Sequence, residues 1–265
     1  MLPFKVMAPS TIGTFLRSFT FGHVRQLDAV CSRVLARAWA ASAAPLVIDL
    51  DSTSCEVHGK AKQAAGYGYT GVLGYHPLVA TRAGTGEVLF ARMRRGSANT
   101  ARGVTRFVDE LAANVRRAGA TGPLTVRADS GFWSWKLCDR LDAHGIAWSI
   151  TVRLVPNIKA AIPGIDEEAW VDIDYTLGGR AQAAETVYTT GKGRQQRQAR
   201  LIVRRTRLTD KAQARLWPDW RHHAFITSNE TISAVEADRF HRELEFPRLV
   251  RQGLLSDSHA AFEAV

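Results

Sequence analysis

LVIDLD, residues 46–51, is a short apolar run that closes on a carboxylate. Its length and its Leu, Val and Ile content predict a buried strand, with Pro45 as the break before it. Downstream, PLTVRADSG (123–131) has the same build, an apolar-rich strand that ends at Asp129, 78 residues after Asp51.

The chain between and beyond these strands supplies the rest of a sheet. VLGYHPLVATR (72–82) and EVLFARMR (87–94) read as two strands of a hairpin, joined through Ala83-Gly84-Thr85-Gly86. Residues 99–118 place Val104, Phe107, Val108, Leu111 and Val115 on one helical face, with Asn99 or Thr100 as the cap and Gly119 just past the end. After Asp129, WSWKLCDRLDAHG (133–145) reads as a helix and IAWSITVRL (146–154) as a fifth strand. Antiparallel strands therefore come first, and parallel strands with helical crossovers follow. The expected class is α/β, a mixed sheet flanked by helices.

Outward from this centre, residues 11–41 carry Phe15, Leu16, Phe19, Val24, Leu27, Val30, Val34 and Leu35 at helical spacing, which predicts helices packed on something larger. Pro156 and Pro163-Gly164 break the alternation, and short strand-like pieces (AWVDIDY, AETVYTT, ARLIVRRTR) up to about residue 222 predict a mainly β insertion after the fifth strand. HAFITSN (223–229) returns to a strand and ISAVEADRFHREL (232–244) to a helix. The expected division is a helical segment 1–45, a core of 46–155 and 223–245, a basic insertion 156–222 and a divergent tail 246–265.

The chain of 265 residues has a net charge of +10, and the charge is concentrated. From Arg180 to His222 there are eleven Lys/Arg against three Asp/Glu, a net of +8 that leaves only +2 elsewhere. Such a block favours a polyanion through phosphate contacts and counterion release. A solvated arginine-rich surface is the plainer alternative. Arg194, Arg197, Arg200, Arg204, Arg205 and Arg207 are its candidate DNA contacts. No apolar run approaches the roughly 20 residues that span a bilayer, and the start lacks a signal-peptide pattern, so the expected location is the cytoplasm. Cys31, Cys55 and Cys138 are far apart and lack metal-ligand spacing, so they read as reduced thiols and indicate neither a zinc site nor a thiol nucleophile.

Asp51 and Asp129 both fall at the C-terminal ends of strands, where open α/β sheets place their ligands. If the two strands are neighbours, the carboxylates meet at one edge as hard oxygen ligands for Mg²⁺ or Mn²⁺, which can activate water for attack on a phosphodiester. Turn formation or capping explains each Asp equally well by spacing alone. Asp49, on the same strand face as Asp51, is a competing ligand or a supporting group.

The chain resembles the DDE transposases of bacterial insertion sequences, specifically the thirteen-eighty group, over about residues 9–242. The resemblance is carried by residues 48–103, which begin IDLDSTSCEVHGK, and by GPLTVRADSGFWS (122–134). It implies an RNase H-like core, Asp51 and Asp129 as the first two catalytic metal ligands, and double-stranded DNA as substrate. It also implies a homodimer acting on paired element ends. The third ligand, a Glu, is expected on the helix after HAFITSN.

There the pattern departs. After VEADRFHR (235–242) the chain reads ELEFPRLVRQGLLSDSHAAFEAV, and Pro247 interrupts the helix where the Glu belongs. Glu243 and Glu245 are the nearby acids, with surface charge as their plainer role. A truncated or frameshifted end is the expectation, and so is a short N-terminus. Three functions follow: an active transposase, a catalytically inactive DNA-binding remnant, and another RNase H-like nuclease. Trp133, Trp135, Trp148, Tyr67, Tyr69, Tyr75 and His76 are candidates for base contact or for packing. Arg94, Arg95, Arg102 and Arg106 are candidates for phosphate contact or solvated charge.

Overall fold

The computed structural model describes residues 8–39, 43–59, 62–175, 180–207 and 220–243. Along the chain these form α1 (Pro9–Arg17), α2 (Phe21–Trp39), β1 (Leu46–Ser52), β2 (Cys55–Glu56), β3 (Gly66–Tyr67), β4 (Leu73–Tyr75), β5 (Leu78–Arg82) and β6 (Val88–Arg92). Then come α3 (Val104–Arg117), β7 (Leu124–Ala128), α4 (Trp135–Ala143), β8 (Ile146–Val152), α5 (Pro156–Ala161), β9 (Val171–Ile173), β10 (Arg180–Thr190), β11 (Arg197–Arg207), β12 (Arg221–Thr227) and α6 (Ala234–Arg242).

Nine strands make one mixed sheet in the order β6-β5-β1-β7-β8-β12-β11-β10-β9. β6, β5 and β1 pair antiparallel, while β1, β7 and β8 run parallel. α3 carries the chain from β6 across to β7 and α4 from β7 to β8, so β6-β5-β1-β7-β8 form the mixed, helix-flanked sheet that was expected. β9, β10 and β11 are not a sheet of their own. They continue the central sheet through β12, whose antiparallel pairing with β8 joins the two halves.

The two faces of the sheet are covered differently. On one, Ile48, Leu50, Val126, Ala128 and Ile150 join Phe107, Val108 and Leu111 of α3 and Leu137 and Leu141 of α4 in the main core. The strong alternation of these strands puts every second residue on the other face, beneath α6. The apolar cluster there is small: Ile202, Phe225 and Ala237.

Three sequence expectations need correction. Pro77 splits 72–82 into β4, which lies in a small sheet β2-β4-β3, and β5, which lies in the main one. α3 starts at Val104, with Gly103 at its cap in the left-handed region (φ 78°), rather than at Asn99 or Thr100. The reason is Arg94, whose guanidinium takes up the carbonyls of Asn99, Thr100 and Arg102 and keeps that segment in a loop. Finally, the apolar faces of α1 and α2 are largely exposed, with Phe15 at 60% and Phe21 at 68%. α2 docks instead through Leu35, a Ser32–Asn114 hydrogen bond, and the ion pairs of Asp28 with Arg92 and of Arg25 with Glu110. No helix among the described residues is long and apolar enough to cross a membrane.

Candidate active site

β1 and β7 pair in parallel with Leu50 opposite Ala128. One step further along each strand stand Asp51, still within β1, and Asp129, the first residue after β7. The two carboxylates that are distant in sequence therefore leave the same sheet edge side by side. Each is oriented by the backbone: the Ser52 N–H donates to Asp51 Oδ1 (2.6 Å) and the Gly131 N–H to Asp129 Oδ1 (2.9 Å). Burial pushes the Asp51 carboxyl up to about 7; the Ser52 N–H opposes this, and the charges of Asp129 and Asp49 reinforce it.

The surrounding loops are tightly fitted. Ser52 Oγ reaches Thr100 Oγ1 at 3.4 Å. A Cβ on Gly131 would meet the Thr100 methyl at 2.8 Å, so glycine is required for the Asp129 turn to lie against that loop. Tyr69 is exposed, and its hydroxyl is pushed up by burial first and then by Asp129 and Asp51, which places it in the field of both acids. Its ring lies 6.0 Å from that of His76. Tyr67 is likewise exposed, whereas the Tyr75 hydroxyl donates to the Gln63 carbonyl. Trp148 is buried, with its indole N–H on Asp142, and Trp135 is stacked with Tyr188. Arg95 and Arg102 are exposed, and Arg106 pairs with Glu110.

Under α6 the sheet is polar, and sequence reasoning missed most of this. Asp49 and Arg127 are register partners, each nearly fully buried, and the guanidinium grips the carboxylate through Nε (2.7 Å) and Nη2 (3.0 Å). Arg127 also donates to the carbonyls of Phe240 and Glu243 at the end of α6. His241 shares hydrogen bonds with the hydroxyls of Ser149 and Thr151, both at 2.8 Å. Asp238 is fully buried between Arg204 (3.0 Å) and Arg242 (2.7 Å). A signal for the first pair was present: Asp49 and Arg127 are 78 residues apart, the same spacing as Asp51 and Asp129.

The candidate DNA-binding arginines divide. Arg204 and Arg205 are largely buried and are engaged by other side chains of the protein. Arg204 holds Asp238, and Arg205 holds Glu167 and Gln182 between the rings of Trp170 and Trp220. Arg197 pairs with Asp139 over the Trp135 ring, and Arg200 with Glu185. Arg194 and Arg207 are exposed.

Two adjacent carboxylates, one of them made reluctant to ionise chiefly by burial and then by its acidic neighbours, suit a divalent cation, whose charge offsets both burial and repulsion. Among the described residues no group of three or more His, Cys, Asp or Glu is arranged to hold one. On α6, Glu236 forms a capping box with Ser233, Asp238 is held by two arginines, and Glu243 is exposed, 3.8 Å from Arg127. Glu245, Pro247 and the tail lie outside the described residues.

A family model described as transposase DDE domain group 1 matches residues 5–239. Among solved structures, a piggyBac transposase synaptic complex with hairpin DNA is similar at a TM-score of 0.43 and 14% identity, over 75% of this chain and 37% of that one. No curated protein matches.

Proposed function

Because the chain belongs to the transposase DDE domain group 1 family, we propose that it cuts and rejoins DNA at the ends of a mobile element, with Asp51 and Asp129 as its metal-holding carboxylates. The observation that supports this most is their adjacency: two acids at the C-terminal ends of parallel neighbours β1 and β7, each fixed by a backbone N–H. Bound Mg²⁺ or Mn²⁺ would supply Lewis-acid activation of water and stabilisation of charge on phosphorus.

In the first step a water oxygen bonds to phosphorus and the P–O3′ bond breaks, leaving a 3′-hydroxyl and a 5′-phosphate. In the second, that hydroxyl attacks a target phosphodiester and a new P–O bond replaces the old one. The Ser52 and Gly131 N–H groups hold the two carboxylates, and the Thr100 loop lies against Ser52 and Gly131. Positioning and charge stabilisation dominate such chemistry. Residues 48–103 and 122–134 support assignment to the thirteen-eighty group of bacterial insertion sequences, acting in the cytoplasm as two copies on paired ends.

One observation favours a second reading, a DNA-binding chain without cleavage: the acids of α6 among the described residues are a cap, an ion pair and an exposed Glu243. A strand-nicking assay on DNA carrying the element's terminal repeats separates the two. Nicking in Mg²⁺ or Mn²⁺ that disappears in Asp51→Asn supports the enzyme. Binding without nicking in either metal sinks it.

A further inference from the structure

We infer that Arg127 is a positioning residue that couples the end of α6 to the carboxylate pair through Asp49; this rests on the proposed role of Asp51 and Asp129. Asp49 and Asp51 are two residues apart on β1, and Arg127 and Asp129 are two apart on β7, so each pair shares a strand face. The Asp49–Arg127 rung therefore lies directly before the Asp51–Asp129 rung. It is a rung with a reach: its guanidinium spans from the sheet to the Phe240 and Glu243 carbonyls, and lies 5.0 Å from the Phe240 ring.

Stability alone does not account for this arrangement. A buried ion pair returns little over well-packed apolar side chains of the same volume, because desolvation consumes most of the Coulombic gain. What the pair provides is direction. The planar guanidinium makes a two-point contact with Asp49 and satisfies carbonyls that a helix C-terminus leaves without partners. A shift of the α6 end must then move Arg127, and with it Asp49, on the strand that carries Asp51. Lysine has a single donor centre and cannot hold both ends at fixed angles. The site thus consists of β1, β7 and α6 moving as one unit.

Coupling of this kind is reciprocal, so cation binding at the acids should be felt in α6. Amide hydrogen exchange of the full chain with and without Mn²⁺ tests it, in wild type, in Arg127→Lys and in the double variant Asp49→Leu/Arg127→Met, which keeps the volume and removes the charges. In wild type, Mn²⁺ is expected to slow exchange at residues 51–53, at 129–132 and in α6, by about fivefold or more. In both variants the two loops still respond and α6 does not. An α6 response that persists in the variants, or is missing from wild type while the loops respond, overturns the role of Arg127. Loops that ignore Mn²⁺ in wild type overturn the carboxylate reading itself, and this inference with it.

Discussion

His241 of α6 lies flat against Phe225 of β12, with ring centroids 4.1 Å apart and planes 8° from parallel. Its neighbour His223 is 6.2 Å away. Burial holds both in the neutral form: His223 is lowered to about 4 by burial and then Arg204, and His241 falls well below the usual range through burial, His223, Arg127 and Arg204.

The pH dependence follows in sign. Above pH 6.5 neither state takes up these protons. As pH falls below it, the unfolded chain binds protons that the folded chain refuses, so stability declines, by about 1.4 kcal/mol per pH unit for His241. Urea midpoints should drop from pH 7 to 5 in wild type and flatten in His241→Gln. Parallel curves would show that these rings do not titrate as the structure requires.

Asp51 acts in the opposite direction. Its folded carboxyl ionises near 7 instead of 3.8, so above pH 7 its charge destabilises the fold, and stability returns as pH falls through 7. Asp51→Asn should therefore melt higher than wild type at pH 8 without metal, with the gap narrowing below pH 7 and closing only toward 3.8. Mn²⁺ should raise the wild-type melting temperature at pH 8 and leave Asp51→Asn and Asp129→Asn unmoved. A wild-type Tm indifferent to Mn²⁺ counts against a cation site.

The exposed and the buried arginines should separate in one experiment. Arg194→Ala and Arg207→Ala are expected to keep wild-type stability and each to lower the slope of log Kd against log salt by about one. Arg205→Ala strands the buried Gln182 and should cost on the order of 2 kcal/mol. Salt slopes unchanged in both surface variants would remove this stretch from the DNA-binding surface.

Gly96 is a packing constraint on the small sheet that carries the Tyr69 loop. A Cβ there would stand 2.1 Å from the Gly66 carbonyl oxygen and 2.2 Å from that of Gly74. Gly96→Ala should cost on the order of 2 kcal/mol. Proteolysis should report the loosening first between residues 55 and 75. An unchanged digestion pattern and melting temperature would mean that the two backbones separate at no cost.

Period and punctuation made β1, β7, β8 and α4 legible, because long apolar runs with glycine or proline at their ends have few other solutions. The carboxylates were legible as strand-end acids, and their adjacency needed only parallel pairing of β1 with β7. α6 was legible as a helix but not in how it docks. Its contacts are a buried Asp238, a neutral His241 and the carbonyls beneath Arg127, all of them polar residues that a pattern reader assigns to solvent. The internal partners of the arginine-rich stretch were illegible for the same reason. Arg204 and Arg205 are consecutive on β11 and face opposite sides of the sheet, yet each finds a carboxylate or amide that lies far away in sequence.

The polar seating of α6 has a thermal consequence. Exposing apolar surface raises heat capacity and exposing polar surface lowers it, and here the two are mixed, with only Ile202, Phe225 and Ala237 forming the apolar part. Local release of α6 should therefore carry little heat-capacity change. The surface that the helix uncovers when it lifts is then mostly polar, and the helix would not become sticky in that state.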